Sequence, residues 1–329
     1  MFNARIVGTG MYAPETIETN ADLDRFFGKP INPKFEQKIG YKQRHVTGIT
    51  ESTADMATKA GERAITDAGL TAEAIDLVIV STDTPEYISP PTACIVQGRL
   101  NATRAGAYDV NGACSGFVAT LDAACRMVMS GGYKNILVVG VYNMTKFVDR
   151  SNIDLVPMFG DGAGAVVVAQ SREPGGFIDS KLFADGTQFD LMGIYGAGAK
   201  NPIEAPGTIE EKKYLLQSLK PLPADRNIKL WPPIITELVE RNGLKTTDID
   251  FIITTQINRW IIEEVMPILG LPMERTICIM GEYGYTGSAC IPMALDTARK
   301  TLGRPKKGDN VVFIASGVGL AVASTLFKW

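Results

Sequence analysis

The sequence predicts an α/β protein built from two copies of one strand–helix unit. Apolar runs such as Ile75-Asp76-Leu77-Val78-Ile79-Val80-Ser81-Thr82 are continuous rather than alternating, as in strands covered on both faces. They alternate with stretches whose apolar residues recur every three or four positions, the helical period. The chain also repeats itself. Gly69-Leu70 and Ile75-Asp76-Leu77-Val78-Ile79 are echoed by Gly243-Leu244 and Ile249-Asp250-Phe251-Ile252-Ile253, 174 positions later (243 − 69 and 249 − 75). At the same offset Cys114-Ser115-Gly116 falls on Ser288-Ala289-Cys290, and Leu121-Asp122 on Leu295-Asp296. Asn135-Ile136-Leu137-Val138-Val139 returns as Asn310-Val311-Val312-Phe313-Ile314, one inserted residue later. The halves are read as residues 1–170 and 171–329, each with a largely parallel sheet. Packed around a pseudo-twofold axis, they would build a site from loops of both halves at the strand C-termini.

Residues 4–10 read as the first strand. Residues 20–48 are polar and broken by Pro30 and Pro33, which suggests a surface excursion. Ala54, Met56, Ala57, Ala60, Ala64 and Ile65 mark a helix over 53–69, stopped by Gly69. The strand at 75–82 leads through a loop at 83–91 to a helix at 92–100. Next comes strand character at Ala107-Tyr108-Asp109-Val110, then the small residues Gly112, Ala113, Ser115 and Gly116. Phe117, Val118, Leu121, Ala124, Cys125 and Val128 then follow at helical spacing. A strand at 135–141 precedes Phe159-Gly160-Asp161-Gly162-Ala163-Gly164-Ala165, which opens into strand Val166-Val167-Val168. Residues 185–230 break the pattern and carry the charged run Glu210-Glu211-Lys212-Lys213, so they read as a surface insertion.

Bulk properties exclude several classes of function. A chain of 329 residues with 45% hydrophobic and 21% charged side chains can bury a large core. A net charge of −3 without Lys/Arg runs offers no footprint for nucleic acid or an anionic membrane. No apolar run reaches bilayer length, and the N-terminus reads as a strand rather than a signal peptide. Five cysteines without framework spacing point to free thiols and a cytoplasmic location. The single histidine, His45, leaves no material for a metal site built on several imidazoles.

Cys114 therefore sits on a tight turn between a strand and a helix. Free amide groups and the positive end of the helix dipole favour a thiolate there, so Cys114 is the candidate nucleophile. Cys94, Cys125, Cys278 and Cys290 lie in apolar runs and read as packing residues.

The order of motifs resembles the ketoacyl-ACP synthase III branch of the thiolase superfamily. The matching pieces are Gly8-Thr9-Gly10, Thr19-Asn20-Ala21-Asp22-Leu23, Gln43-Arg44-His45, Asn111 to Phe117, Phe159 to Ala165 and Pro292-Met293-Ala294-Leu295-Asp296. The resemblance implies the five-layered αβαβα thiolase fold, a homodimer and an acyl thioester on Cys114. It implies no cofactor and no metal, only an acyl-coenzyme A or acyl carrier protein as partner. The oxyanion hole it implies is made by the N–H groups of Cys114 and Gly319. It also places the glycine-rich Phe159–Ala165 piece in the core near the site, with no nucleotide bound.

The chain departs from that family where its chemistry is decided. The family's His stands in a Pro-His-Gln-Ala-Asn segment; here the segment is Thr254-Thr255-Gln256-Ile257-Asn258, with Thr255 in the His position. The family's Asn stands in Gly-Asn-Thr-Ser; here Gly284-Tyr285-Thr286-Gly287 places Tyr285 there. The catalytic set implied is thus Cys114, Thr255 and Tyr285. Loading of Cys114 survives this change, whereas stabilising a malonyl enolate with neutral hydroxyls does not come easily. The expected activity is that of an acyl-thioester transferase or atypical 3-oxoacyl-ACP synthase III-like enzyme that passes the acyl group from Cys114 to an unidentified acceptor, in fatty-acid-like or secondary-metabolite biosynthesis. The alternative is a catalytically reduced subunit that pairs with an active ketosynthase-like partner.

Substrate contacts follow from the same resemblance. Ser89, ahead of Pro90, holds the place of a bulky gate that crosses the dimer, so a longer or branched acyl chain is expected. Lys34 lies near the position of the family's adenine-stacking Trp and Arg150 at the second adenine contact, which favours carrier-protein delivery. Asn258 and Trp260 complete the expected substrate-binding set, and Glu86 in the crossing loop reads as a solvated carboxylate.

Overall fold

The apolar runs become strands and the periodic stretches helices, in a computed structural model that describes residues 2–329. The first half runs β1 (Asn3–Tyr12), β2 (Ile17–Thr19), α1 (Asn20–Phe27), β3 (Gln43–His45), α2 (Thr53–Asp67), β4 (Leu77–Ser81), α3 (Thr92–Arg99), β5 (Gly106–Val110), α4 (Gly116–Met129), β6 (Asn135–Tyr142) and β7 (Gly162–Ser171). The second runs β8 (Gly176–Ala184), β9 (Met192–Gly193), β10 (Gln217–Ser218), α5 (Arg226–Glu240), β11 (Phe251–Thr254), α6 (Arg259–Ile268), α7 (Met280–Tyr283), α8 (Cys290–Leu302), β12 (Asn310–Gly317) and β13 (Ala321–Lys328).

One large sheet has the order β1-β7-β6-β4-β5 and the other β8-β13-β12-β11. Laid side by side, β8 answers β1, β13 answers β7, β12 answers β6 and β11 answers β4, which is the duplication seen in sequence. β5 has no counterpart; the residues at its offset form the short α7. The sheets are mixed rather than largely parallel. β4 pairs in parallel with β5 and β6, and β11 with β12, while β1, β7, β8 and β13 pair antiparallel. A parallel pair needs a crossover element, and none lies between β6 and β7 or between β12 and β13.

α4 and α8 lie between the two sheets, where α4 buries Phe117, Val118, Leu121, Ala124, Cys125 and Val128. α2 and α3 cover the outer face of the first sheet, with α5 outside the second and α6 beside it. The result is the five-layered αβαβα thiolase fold. α2 starts in a capping box, Ser52 accepting from the Asp55 N–H while the Asp55 carboxylate accepts from the Ser52 N–H, which contributes about 1 kcal/mol.

Two segments differ from their sequence reading. Residues 20–48 are not a surface excursion: Leu23, Tyr41 and Arg44 are fully buried. The Arg44 guanidinium donates to the carbonyls of Glu18 (3.1 Å) and Pro157 (2.9 Å) and to Asn20 Oδ1 (2.7 Å), and the Tyr41 hydroxyl donates to the Ile257 carbonyl (2.5 Å). Polarity misled there because these side chains satisfy buried backbone. Residues 185–230 are no mere insertion either, since β9 and β10 pair, α5 begins at Arg226 and the segment roofs the cavity described below. In the 83–91 loop the Glu86 carboxylate accepts the Ala54 N–H at 2.8 Å, at the start of α2, while Tyr87 and Ile88 stand largely exposed.

Candidate active site

The turn at Cys114 is held by its own polar groups. Asn111 Oδ1 accepts the Ala113 N–H (3.1 Å), and the Ser115 hydroxyl donates to the Gly112 carbonyl (2.7 Å). Ala113 takes a left-handed conformation with φ of 47°, a strain of about 1 kcal/mol for a residue with a side chain. Residues 113–115 form one 3₁₀ turn, and α4 begins at Gly116. Gly116 is required by space, because a Cβ there would meet Ser81 Oγ at 2.4 Å. The end of β12 closes the other side: a Cβ on Gly317 would lie 2.9 Å from the Cys114 nitrogen.

Cys114 opens onto a cavity of about 400 Å³ between the halves, at the ends of β4, β5, β6 and β12. Its walls are mostly apolar, from Met144, Met158, Phe159, Ile257 and the roof residues Phe189, Met192, Ile194, Leu216 and Leu222. Besides Cys114 the polar lining is Asp83, Asn111, Tyr142, Tyr195, Arg226, Tyr285 and Ser316, with Gly319 beside them. Tyr285 is placed by the glycine-rich piece: its N–H donates to the Met158 carbonyl (2.8 Å) and its carbonyl accepts the Gly160 N–H (3.1 Å). Its ring lies 6.1 Å from Tyr142 and 6.0 Å from Phe159, centroid to centroid.

The electrostatics differ from the sequence expectation of a depressed thiol pKa. Burial pushes the Cys114 thiol well above its ordinary range, and the Asp83 carboxylate adds to the rise. Hydrogen bonding from the Tyr285 hydroxyl, and more weakly from the Cys114 N–H, offsets part of it. Desolvation outweighs the start of the helix here because the sulfur is sealed in an apolar wall. Burial also raises Tyr142 and Tyr285 well above the phenol range, so both keep their protons. Asp83 is pushed up to about 6 by burial.

Of the sequence candidates, Cys114, Tyr285 and Gly319 meet at this cavity. Thr255 is buried at the end of β11 and turned to β12: its Oγ1 accepts the Ser316 N–H at 3.0 Å, and it does not line the cavity. Asn258 precedes α6 with Oδ1 buried and unpaired, and Trp260 packs under Lys38, whose Nζ is 4.5 Å from the ring. Neither lines the cavity. Arg150 pairs with Glu18 (2.6 Å) and lies over Phe26, and Ser89 is exposed in the 83–91 loop, both away from this protomer's cavity. His45 stacks on Tyr283, with Nδ1 2.5 Å from the Pro14 carbonyl. Cys94 is exposed rather than packed. The sequence reading missed Asp83, Tyr142, Arg226 and the roof. Asp83 was legible in principle, as a lone carboxylate directly after a buried strand.

A cysteine on a strand-to-helix turn, in the cleft between duplicated halves, fits a thiolase-fold acyltransferase. The comparisons narrow the class. Residues 108–186 match the family 3-Oxoacyl-[acyl-carrier-protein (ACP)] synthase III, and residues 239–329 its C-terminal counterpart. A beta-ketoacyl-[acyl-carrier-protein] synthase III of Coxiella burnetii (strain Dugway 5J108-111) is 39% identical over 333 residues, covering 100% of both chains. The 3-oxoacyl-[acyl-carrier-protein] synthase III of Aquifex aeolicus VF5 superposes with a TM-score of 0.88 at 31% identity, covering 99% of this chain and 100% of the other. A priming beta-ketosynthase from the R1128 polyketide biosynthetic pathway superposes with a TM-score of 0.87 at 28% identity, over 99% and 96%. The chain belongs to the ketoacyl-ACP synthase III family. No helix among the described residues is long and apolar enough to cross a membrane.

Proposed function

We propose that the protein is an atypical synthase III-like acyltransferase. Cys114 takes an acyl group from acyl carrier protein or acyl-coenzyme A and passes it to a hydroxyl, amine or thiol acceptor. The observation that carries this reading is the apolar cavity that Cys114 and Tyr285 both line and that no imidazole lines. The cavity's lining suits an acyl chain, and about 400 Å³ lies in the range of small-molecule pockets. The N–H groups of Cys114 and Gly319 form the oxyanion hole, a kind of contact worth roughly 10²–10³ in rate. Thr255 acts behind the cavity, holding the Ser316 N–H, while Arg150, Asn258 and Trp260 meet the thioester outside the cavity and Ser89 does so from the neighbouring protomer's loop. No metal or bound cofactor takes part, and the enzyme works in the cytoplasm as a homodimer whose 83–91 loop crosses to the neighbour.

The test is intact-mass measurement after exposure to panels of acyl-coenzyme A and acyl carrier protein thioesters. Wild type gains one acyl mass, and Cys114→Ala gains none. A protein that gains no mass from any donor alone, but does so beside a second ketosynthase-like chain, fits the paired-subunit reading instead.

A further inference from the structure

The reaction needs a group that moves protons, and the cavity offers few. Tyr142 and Tyr285 hold their protons tightly. Arg226 carries a cation, and no described carboxylate pairs with it. Tyr195, in the roof, is raised by burial. That leaves Asp83. It follows β4 at the point where Ile257 follows β11 in the second half, so the duplication aims both side chains at the same cavity. Its Oδ1 is shielded from solvent and has no hydrogen-bond partner. The segment around it is pinned: Thr82 Oγ1 accepts the Thr84 N–H (3.0 Å), and Thr84 Oγ1 accepts the Asn143 N–H (2.9 Å). A carboxylate with an unused oxygen, on a pinned segment and in the cavity of the Cys114 thiol, has no side-chain partner to account for it.

We propose that Asp83 is the proton carrier of the Cys114 site, in the place that the missing imidazole leaves. The proposal rests on the acyl transfer argued above. In loading, Asp83 takes the Sγ proton as the sulfur attacks the thioester carbonyl carbon. The donor's C–S bond breaks, and Asp83 returns the proton to the departing thiolate. In transfer, Asp83 takes the proton of the acceptor's O–H, N–H or S–H as that atom attacks the acyl carbon. The Cys114 C–S bond breaks, and the sulfur recovers a proton from Asp83. Loading ends with Asp83 as it began and Cys114 acylated, and transfer restores the Cys114 thiol and again leaves Asp83 as it began, with no oxidant or other co-reactant. Burial supports the assignment by holding the carboxyl at about 6, so it is ionised near neutrality yet a better base than an ordinary aspartate.

Asp83 also disfavours the free thiolate by simple repulsion, and the two roles predict opposite signs. The charged and titratable groups that share its cavity are Cys114, Tyr142, Tyr195, Tyr285 and Arg226, with Asp161 acting on Tyr142 from outside it. The test is the rate of Cys114 alkylation by iodoacetamide across pH 4.5–9, alongside acylation from the best donor, in wild type, Asp83→Asn and Asp83→Glu. The expected wild-type rates rise through a step near pH 6, as Asp83 ionises. Asp83→Asn loses the step and slows both reactions about 10²-fold near neutrality, and Asp83→Glu keeps the step. Faster alkylation in Asp83→Asn, or an unchanged rate and profile, overturns the proposal. A wild type that shows the alkylation step but accepts no acyl donor sinks the acyl-transfer reading and leaves the proton coupling of Asp83 to Cys114 standing.

Discussion

Replacing Tyr285 with phenylalanine isolates one oxygen. The Tyr285 backbone is fixed by Met158 and Gly160, and its ring packs on Tyr142 and Phe159, so the phenylalanine ring keeps every apolar contact. What disappears is the hydroxyl that holds the Cys114 thiol down against burial. Tyr285→Phe therefore raises the thiol pKa further and makes the thiolate harder to form during attack. A hydrogen bond to a charged group is worth about 1.5–3 kcal/mol net. At about 1.4 kcal/mol for each factor of ten, that slows acylation roughly 10- to 150-fold. Stability should change by less than about 1 kcal/mol, because no cavity opens.

The assay is the single-turnover rate of acyl-Cys114 formation by quenched intact-mass measurement, with urea unfolding as the control. Tyr285→Asn is a poorer probe, since removing a buried ring costs about 3–5 kcal/mol and confounds chemistry with folding. An acylation rate in Tyr285→Phe within a factor of two of wild type would refute the argument that this hydroxyl assists the sulfur.

Gly317→Ala drives a methyl to within 2.9 Å of the Cys114 nitrogen; it should cost about 1–3 kcal/mol in urea unfolding and at least about tenfold in acylation rate. Ile88→Lys places a charge on the most exposed apolar residue of the proposed crossing loop and should shift the dimer toward monomer in light scattering; a wild-type protein that is already monomeric at micromolar concentration rejects the dimer. Carbon dioxide release from radiolabelled malonyl thioester should be slow in wild type and rise at least about tenfold in Thr255→His with Tyr285→Asn, at a cost in stability from orphaning the Ser316 N–H. Asp83→Asn should stabilise the fold by up to about 3 kcal/mol at pH 7.5, from a shift of about two units at about 1.36 kcal/mol each. The sign follows from a folded pKa above the unfolded 3.8: wild type loses stability relative to the variant as pH rises through about 6, and the difference vanishes below about pH 4.

The fold was legible because its signals are local or repeated. Continuous apolar runs marked β4, β6, β11 and β12, and the 174-residue echo placed the second half against the first. Antiparallel edges were not legible, since strand direction depends on what connects the strands rather than on their composition. α5 was hidden by Pro232 and Pro233, which sit inside it while Trp231 is fully buried. At the site, Cys114 announced itself by its turn. Tyr285 and Thr255 were readable only through the family pattern, and that pattern gives position without direction: Tyr285 points into the cavity while Thr255 turns to β12. Arg226 and the roof were missed because residues 185–230 break the repeat pattern and read as a surface insertion.

The same cavity argues for transfer over carbon–carbon bond formation. Decarboxylation of a malonyl thioester builds negative charge on a carbonyl oxygen away from Cys114, and stabilising it takes donors held where the family's His and Asn stand. Thr255 Oγ1 is turned to the Ser316 N–H, and Tyr285 stands as a neutral hydroxyl in the Cys114 cavity. The remaining cation, Arg226, begins α5 on the roof side. Asp83 would repel an enolate in so apolar a space, yet the same carboxylate suits an acceptor that must lose a proton. Burial raises both groups: it disfavours the Cys114 thiolate and makes the Asp83 carboxylate more basic than an ordinary aspartate, as the proposed proton transfer requires. An acceptor with an acidic proton and no need of enolate stabilisation is the substrate this arrangement favours.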